Sequence, residues 1–383
     1  MTLNDSQLSA GRFLVDYTIS PNIGQSVESI ANDICFEQTV EIPEDCVPAR
    51  LVSEGIPGRI ENIVSESDSP DKYLVTISFQ CDLAVTSIPQ FLNTLFGNIS
   101  LKNNIRLRNL YLPESQATIF PGPSFGISEI RRYVNVFDRP ITCTALKPVG
   151  FDSKELAEMA YTFALGGADV IKDDHGISNQ KFARFEERVT RVQEAIADAN
   201  ARTGRTTLYC PMLNDGCKEL ERQIEICRQV HIKGALAAPA LIGYSAFAEL
   251  ASMRELILMA HPAFAGTFFT TDTHGASPAF FLGTLYRLLG ADISIFPNAG
   301  GRFQFNQQEC DNLCEALRGH TGTVRKAFPA PAGGMSIDKS PQMIKKYGND
   351  SVFIIGGNLF QYPDGLLKAT RSFVETVEKN SGN

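Results

Sequence analysis

Residues 168–176 carry an unusual density of side chains that can do chemistry. An apolar strand-like run leads directly into Lys172, two aspartates and His175. Because side chains alternate along a strand, Lys172 and Asp174 face one side, and His175 follows where the chain turns. Carboxylate and imidazole groups are metal ligands, whereas an ammonium group joins them only if its charge is removed. The pattern is compatible with a metal site and also with a solvated turn after a strand.

The chain around this segment alternates between strand-like and helical patterns from residue 140 onward. Eight strand-like runs, each followed by a helical pattern, cover residues 141–147, 169–174, 207–213, 234–239, 256–261, 292–297, 326–331 and 351–355. Such a repeat over about 240 residues predicts a closed (β/α)8 barrel, with an open doubly wound sheet as the alternative. A C-terminal helix follows, with Phe373 and Val377 on one face.

The first part of the chain has a different pattern. Strand-like runs at residues 12–20, 59–65, 72–81 and 106–112 are interspersed with helical runs at 26–36 and 90–97. Strands and helices that do not alternate strictly predict an α+β fold, here a ferredoxin-like sandwich domain. We therefore divide the chain into an N-terminal domain, 1–118, and a barrel domain, 119–383, with residues 122–126 as the connection.

Composition excludes several classes of protein. The 383 residues carry a net charge of −8 with a pI near 5.3, which argues against nucleic acid or an anionic membrane as a partner. No apolar run is long enough to span a bilayer, and the first residues have neither the basic region nor the apolar region of a signal peptide, so none is predicted. The nine scattered cysteines indicate reduced thiols in a cytoplasmic protein. Cys310 and Cys314 have a spacing that could form half a metal site, but no second pair accompanies them.

In a barrel, the chemistry lies at the carboxyl ends of the strands. The side chains predicted there are Lys147 after the first strand, Lys172, Asp174 and His175 after the second, Asn214 and Asp215 after the third, His261 after the fifth, and Asn298 to Arg302 after the sixth. Glycine pairs follow the last two strands: Gly333 with Gly334, and Gly356 with Gly357. Bare backbone N–H groups at these two strands are where barrel enzymes hold a phosphate, so we predict a phosphate site.

Several of these motifs resemble a known family. TALKP at residues 144–148 and GGADVIKDDH at 166–175 resemble the large chain of RuBisCO, and more closely the RuBisCO-like proteins of the non-carboxylating form IV group. The resemblance extends over nearly the whole chain. It includes residues 37–39, 96–97, 121–126, His261, 274–275, both glycine pairs and Pro363.

The resemblance implies a role for the lysine. In RuBisCO the residue matching Lys172 reacts with CO2 to form a carbamate, which binds Mg2+ together with the residue matching Asp174 and a glutamate. His175 stands at the glutamate position, and this implies a site with less negative charge that also admits Mn2+. Lys147 matches the proton-transfer lysine, and His261 matches a histidine close to the substrate.

The family also implies an assembly. Its members form homodimers in which Glu37 and the segment 96–97 would reach into the barrel mouth of the neighbouring subunit, so that two active sites are shared. No small subunit is expected.

Departures from the RuBisCO pattern indicate which reaction is lost. The second lysine of the first-strand motif is absent, and no lysine lies between Asn298 and Arg325. Pro262 stands where an arginine would hold a second phosphate. The histidine that RuBisCO has in strand six aligns near Ile295 of this chain, and the asparagine of its first domain aligns near Thr94. These changes favour a phosphorylated sugar or sugar acid with one phosphate and no CO2 fixation.

Three activities remain open at this point. The favoured one is decarboxylation, or transcarboxylation with hydrolysis, of a compound such as 3-oxo-isoapionate 4-phosphate, with Arg302 holding the carboxylate. The alternative is isomerisation or enolisation of a methylthio-sugar phosphate in sulfur salvage. For that substrate an apolar pocket could be lined by Phe264, Phe296, Phe303 and Phe360. The third is an inactive binding or regulatory protein on the same scaffold.

Overall fold

The structure, a computed structural model, describes residues 11–66 and 69–381. Its strands are β1 (Arg12–Ile19), β2 (Arg59–Glu66), β3 (Ser69–Gln80), β4 (Ile105–Tyr111), β5 (Ile141–Leu146), β6 (Val170–Asp173), β7 (Leu208–Cys210), β8 (Met212–Leu213), β9 (Gly234–Ala237), β10 (Ile257–Ala260), β11 (Gly275–Ala276), β12 (Ile293–Pro297), β13 (Phe328–Ala332) and β14 (Val352–Ile354).

The α-helices among these residues are α1 (Val27–Glu37), α2 (Ala49–Ser53), α3 (Cys81–Ala84), α4 (Ile88–Phe96), α5 (Gly126–Val134), α6 (Ser153–Leu165), α7 (Phe185–Thr203), α8 (Cys217–Gln229), α9 (Pro239–Ile242), α10 (Tyr244–Ser252), α11 (Gly266–Phe269), α12 (Tyr286–Leu288), α13 (Gln307–Arg318), α14 (Ser340–Tyr347) and α15 (Leu366–Ser381). None of the helices within 11–66 and 69–381 is long and apolar enough to cross a membrane. All nine cysteines are free thiols.

The chain forms two compact units. The first contains the described residues up to Pro121 together with Ala265–Leu285 and Thr321–Thr323. The second contains Gly122–Phe264, Tyr286–His320 and the described chain from Val324 onward. The domain boundary between residues 118 and 119 that the sequence predicts stays a prediction.

The first unit has the predicted ferredoxin-like α+β order. Strands β4, β1, β3 and β2 are neighbours in that order and pair antiparallel. All eight residues of β1 are buried because it lies inside the sheet, whereas β2 is mostly exposed at its edge. Both main helices begin at serine caps: the Ser26 and Ser87 hydroxyls accept N–H bonds from Ser29 and Gln90.

One segment of the first unit comes from much later in the chain. Strand β11 pairs parallel with β4, so residues 265–285 complete the N-terminal sheet. Gly275 has φ +79°, and a Cβ there would lie 2.1 Å from the Phe268 carbonyl oxygen. Sequence patterns did not predict this strand because two residues are too few to show an alternation.

The second unit is the predicted (β/α)8 barrel. Parallel pairing runs through β14, β5, β6 and β7, and through β8, β9, β10, β12 and β13. The third predicted strand appears as β7 and β8 because Pro211 between them has no N–H for the ladder. The strands are almost wholly buried, since the interior side chains pack together and the helices cover the outside. All eight predicted barrel strands are therefore confirmed.

Helix α5 packs against the amino ends of the barrel strands. Ile130 and Val134 belong to the same buried cluster as the inward side chains of the strands. The Asp292 carboxylate accepts N–H bonds from Phe125, Gly126 and Leu258 at 2.8, 2.7 and 2.9 Å, which fixes the start of the helix beside β12. Burial raises the pKa of Asp292 to about 6. The sequence predicted only a connection at 122–126 and missed this helix.

Candidate active site

Two lysines and a carboxylate meet where the neighbouring strands β5 and β6 end. Lys147 Nζ forms a salt bridge with Asp174 Oδ1, and the Asp174 N–H donates to the Leu146 carbonyl oxygen at 3.2 Å. Lys172 lies two residues before Asp174 and pairs with Ala145 of β5. Only 5% of Lys172 is exposed. The structure thus brings together three of the side chains that the sequence selected.

Lys172 sits in an environment that disfavours its charge. Burial lowers the pKa of Lys172, and the neighbouring positive charge of Lys147 acts in the same direction. Cys143 and Asp174 act in the opposite direction. Lys172 Nζ donates one hydrogen bond, at 2.9 Å, to the main-chain oxygen of Asp173. A lowered pKa increases the share of neutral amine, which is the nucleophilic form of the side chain.

Asp174 is held in its charged form. Burial of its carboxyl group opposes ionisation, but the nearby His175 ring, the hydrogen bond from Lys147 and the charges of both lysines hold its pKa well below the usual range. His175 Nδ1 lies 3.6 Å from Asp174 Oδ1. A carboxylate that stays charged at neutral pH is available as a ligand for a hard cation.

A second histidine reaches this group from a strand that does not neighbour β6. His261 follows β10, and its ring stacks on that of His175. Burial, followed by the positive charges of Lys172 and His175, holds the pKa of His261 well below its usual value. The Ala263 N–H donates to His261 Nδ1 at 3.0 Å, so the proton of the neutral ring is on Nε2.

The other aspartate of the segment faces away from the mouth. Asp173 is fully buried with Arg188, whose Nη2 lies 3.1 Å from its Oδ2. Asp173 also accepts hydrogen bonds from Tyr209 Oη at 2.8 Å and the Met212 N–H at 3.0 Å. This arrangement anchors the end of β6 while Lys172 and Asp174 point to the opposite face.

Asn298 is oriented by a residue that sequence reasoning missed. Tyr347 Oη, at the end of α14, donates to Asn298 Oδ1 at 2.6 Å. The Asn298 N–H donates to the Ala332 oxygen at 2.9 Å, so both its side chain and its backbone are fixed. No motif near Tyr347 indicated this contact, because it joins residues 49 positions apart.

The loop after β12 packs closely against the glycine pair after β13. The Arg302 N–H donates to the Gly333 oxygen at 3.3 Å, and a Cβ on Gly301 would lie 2.0 Å from that oxygen. Gly333 and Gly334 have φ +86° and +84°. The Arg302 side chain is exposed, with its guanidinium carbon 5.4 Å from the centre of the Phe303 ring. The packing of this loop therefore requires glycine at residues 333 and 334, independently of any ligand that they bind.

The second glycine pair lies beside Lys147. A Cβ on Gly356 would lie 3.5 Å from Lys147 Cε, whereas one on Gly357 would contact nothing within 4 Å. Asn358 Oδ1 accepts the Ile337 N–H at 3.2 Å, which joins the loops after β13 and β14. These glycines leave open backbone next to the proposed proton-transfer lysine.

The remaining candidates have separate environments. Glu37 belongs to the first unit, where its Oε1 accepts from Asn98 Nδ2 at 3.0 Å. Phe264, Phe303 and Phe360 are exposed after the strands that lead to the mouth. Phe296 is fully buried against Tyr347, so its proposed place in an apolar pocket is wrong and it is barrel core.

Whether the site fits a metal depends on Lys172. Among the described residues, no group of three or more His, Cys, Asp and Glu side chains could hold a metal ion. Cys310 and Cys314 are both buried in α13, and no described His, Cys, Asp or Glu side chain completes a metal-binding group with them. Asp174 and His175 supply two donors, and a carbamate on the buried Lys172 would supply the third. The residues therefore fit a divalent cation if Lys172 is converted to an oxygen ligand.

Comparison with known proteins identifies the relatives of this chain. The profile of the ribulose bisphosphate carboxylase large chain, catalytic domain, matches residues 126–380. A protein named 5-methylthioribulose-1-phosphate isomerase from Rhodospirillum rubrum is 38% identical, covering 92% of each chain. A 2,3-diketo-5-methylthiopentyl-1-phosphate enolase from Geobacillus kaustophilus is 31% identical, covering 79% of this chain and 73% of the relative. The crystal structure of a Rubisco-like protein from Rhodopseudomonas palustris superposes with a TM-score of 0.87 at 34% identity, covering 98% and 99%.

Proposed function

This chain belongs to the RuBisCO large-chain family as a RuBisCO-like protein, and we propose that it isomerises a methylthio-sugar phosphate of the 5-methylthioribulose 1-phosphate class. The observation that carries the proposal is the group at the barrel mouth: Lys147 paired with Asp174 beside the buried Lys172. An isomerisation of this kind moves a proton between two carbons through an enediolate, without a change in composition. Lys147, Lys172 and Asp174, which match the RuBisCO pattern, suit that step.

Lys172, as a carbamate, would hold Mg2+ or Mn2+ together with Asp174 and His175. When bound, this cation would polarise the substrate carbonyl and lower the pKa of the adjacent C–H group. The proton transfers fall to the chain's own residues. Lys147 Nζ, once it has given up its own proton, takes the proton from the carbon next to the carbonyl, and the contact with Asp174 positions Nζ. His261 is neutral with its proton on Nε2, so it can donate a hydrogen bond to a substrate oxygen.

The named relatives favour one of the substrates left open by the sequence over the others. The favoured interpretation was decarboxylation of a compound such as 3-oxo-isoapionate 4-phosphate, and it depended on Arg302 as the carboxylate ligand. The relatives are named as an isomerase and an enolase of methylthio-sugar phosphates, and they support the sulfur-salvage alternative instead. The isomerase is the more similar of the two, so we propose isomerisation ahead of enolisation.

The same proposal assigns the two ends of the substrate. The backbone N–H groups of the glycine pairs, at 333–334 and 356–357, would hold the single phosphate. The exposed rings of Phe264, Phe303 and Phe360 would cover the methylthio group. Asn298, held by Tyr347, would donate its amide N–H to a substrate hydroxyl.

We further propose that the active form is a homodimer without a small subunit. Glu37 of one subunit would complete the barrel mouth of the other, as in the family. Its partner Asn98 follows the Phe96–Gly97 segment directly, so the two family elements lie together in the first unit. Sharing of sites would make activity depend on the assembly.

The test is an assay on 5-methylthioribulose 1-phosphate with Mg2+ and bicarbonate, following product and exchange of substrate C–H for solvent deuterium by NMR. Wild type should show both, and Lys172→Ala should lose activity together with Mg2+-dependent thermal stabilisation. Lys181→Ala, which changes an exposed lysine in the next loop, is the matched control. Full activity in Lys172→Ala would remove the metal site. No turnover and no exchange by wild type would favour the inactive-homologue alternative.

A further inference from the structure

A cavity opens at the end of the barrel opposite Lys147 and Lys172. It lies beside α5 and the residues that immediately precede β9 and β10. Its volume is about 650 Å3, within the range of small-molecule sites. None of its lining residues belongs to the proposed catalytic group.

The cavity combines an apolar floor with a charged rim. The apolar and aromatic side chains are Phe125, Tyr133, Ile224, Ile232, Leu256 and Ile257. Around them stand five basic residues, Arg132, Arg228, His231, Lys233 and Arg254, and two acidic residues, Glu129 and Glu255. A basic rim is unusual on a chain whose net charge is −8.

The two carboxylates of the rim are already paired. Arg132 forms a salt bridge with Glu129 one helical turn away. Arg228 holds Glu255 with two hydrogen bonds, from Nε at 2.6 Å and from Nη2 at 3.0 Å. Within the described part of the chain, no salt bridge compensates Lys233 or Arg254. Arg254 therefore brings a positive charge without a salt bridge to the described residues next to aromatic surface, while the Lys233 charge also acts on Glu255.

Two of the basic side chains stand on left-handed backbone. His231 has φ +61° and Arg254 has φ +56°, each just beyond a helix, α8 and α10. Glycine is the relaxed residue at such a position, and any side chain there costs free energy. Two residues around this one cavity therefore have an unfavourable backbone conformation, and both are basic.

We propose that this cavity binds a small organic phosphate that carries an aromatic ring, of the mononucleotide class. The ring would lie on the apolar floor, and the phosphate would be held by Arg254, Lys233 and His231. The proposal is independent of the reaction at the barrel mouth. It assigns this face of the barrel a ligand site separate from the substrate site.

The probes are adenosine monophosphate, adenosine and inorganic phosphate, titrated calorimetrically into the full-length protein. Adenosine monophosphate should bind more tightly than adenosine or inorganic phosphate, because only adenosine monophosphate contacts both the apolar floor and the basic rim of the cavity. Arg254→Gly and His231→Gly each remove a basic group and also relax the backbone, so loss of folding does not confound them. Each should weaken binding about tenfold or more, as expected for a lost charged hydrogen bond.

Two control variants isolate the cause. Asn135→Gly relaxes a residue at φ +56° without removing a charge, and Lys379→Ala removes an exposed charge elsewhere, so both should bind like wild type. Lys147→Ala should also bind like wild type. Lack of binding at millimolar nucleotide would overturn the proposal. Equal binding of a fragment, equal loss in Asn135→Gly, or loss in Lys147→Ala would overturn it too.

Discussion

The imidazole rings of His175 and His261 stack across the barrel mouth, with centroids 4.4 Å apart and an interplanar angle of 13°. The rings come from β6 and β10, which do not neighbour each other in the barrel. A positive charge on His175 lowers the pKa of His261, so the stack disfavours a doubly protonated pair. The face of the mouth next to Asp174 is thus lined by an imidazole where the RuBisCO pattern has a carboxylate.

His175→Glu is expected to strengthen Mg2+ binding by about tenfold or more, because a carboxylate adds the negative charge that a hard cation prefers. The change in apparent affinity is measured as the Mg2+ dependence of the unfolding temperature in bicarbonate buffer. His175→Gln, which removes the imidazole without adding charge, should not show the gain. An unchanged preference between Mg2+ and Mn2+ in the Glu variant would show that residue 175 does not ligate the metal.

Asp173→Asn should be strongly destabilising although Asp173 does not face the mouth. The substitution leaves the fully buried Arg188 guanidinium without its charged partner, at a cost of about 3–5 kcal/mol. Urea unfolding measures the loss. Glu187→Gln removes an exposed partner of Arg191 on the same helix, α7, and should cost less than about 0.5 kcal/mol. A small effect of Asp173→Asn would mean that the Tyr209 and Met212 hydrogen bonds suffice.

The contrast between Asp173 and Asp174 shows how far the sequence could predict the site. Alternation along a strand correctly separated the two faces, and the barrel rule placed Lys147, Lys172 and His261 at strand ends. These inferences need only periodicity and topology. The buried partners of Asp173 could not be predicted, because Arg188 lies on the following helix and Tyr209 on the next strand, and either could have faced solvent.

Non-local contacts explain the other misses. Helix α5 is held by Asp292, more than 150 residues away, while the segment 121–126 that leads into it contains glycine and proline, which indicate a loop. Tyr347 carries no motif, and its role depends on where Asn298 lies. Phe296 has the same residue type as the exposed rings of the mouth, and only the inward or outward direction of its strand position distinguishes them.

Asp292 predicts a specific pH dependence of stability. Its pKa is raised by burial to about 6, so the folded state takes up a proton at higher pH than the unfolded state. Its contribution therefore becomes more favourable as pH falls. Between about pH 7 and pH 4 the unfolding free energy of wild type relative to Asp292→Asn should rise by up to about 3 kcal/mol. Contributions such as that of His261 cancel in this difference. A pH-independent difference would show that the Asp292 pKa is not raised.

Mixed dimers test whether the active sites are shared. Glu37→Gln and Lys147→Ala proteins, each inactive alone under the proposed function, are combined under conditions that allow subunits to exchange. A mixed dimer then contains one site with both changes and one site with neither, so about a quarter of the wild-type activity should return by simple statistics if subunits pair at random. Exchange is followed with differently tagged subunits. Proven exchange without recovered activity would contradict shared sites.

The protein should not fix CO2 on ribulose 1,5-bisphosphate. That reaction needs an enediolate, a cation for the developing carboxylate, and an anchor for each of two phosphates. Lys147, Lys172 and Asp174 can serve the first requirement. Arg302 is the cation of the strand-six loop, but its backbone is fixed to Gly333 and its guanidinium lies over Phe303. Pro262 replaces the arginine expected for the second phosphate.

The missing arginine and the missing lysine determine how much carboxylation activity is lost. Losing a charged hydrogen-bond partner to phosphate costs about 1.5–3 kcal/mol, or roughly tenfold to a hundredfold in binding. Losing the lysine on the CO2 side removes stabilisation from the chemical step itself. Proton exchange next to the carbonyl can still occur, because it uses only Lys147 and the groups around it. The measurement is incorporation of labelled bicarbonate into acid-stable 3-phosphoglycerate, with Lys147→Ala as the background. Incorporation above that background would restore carboxylation as an activity of this chain.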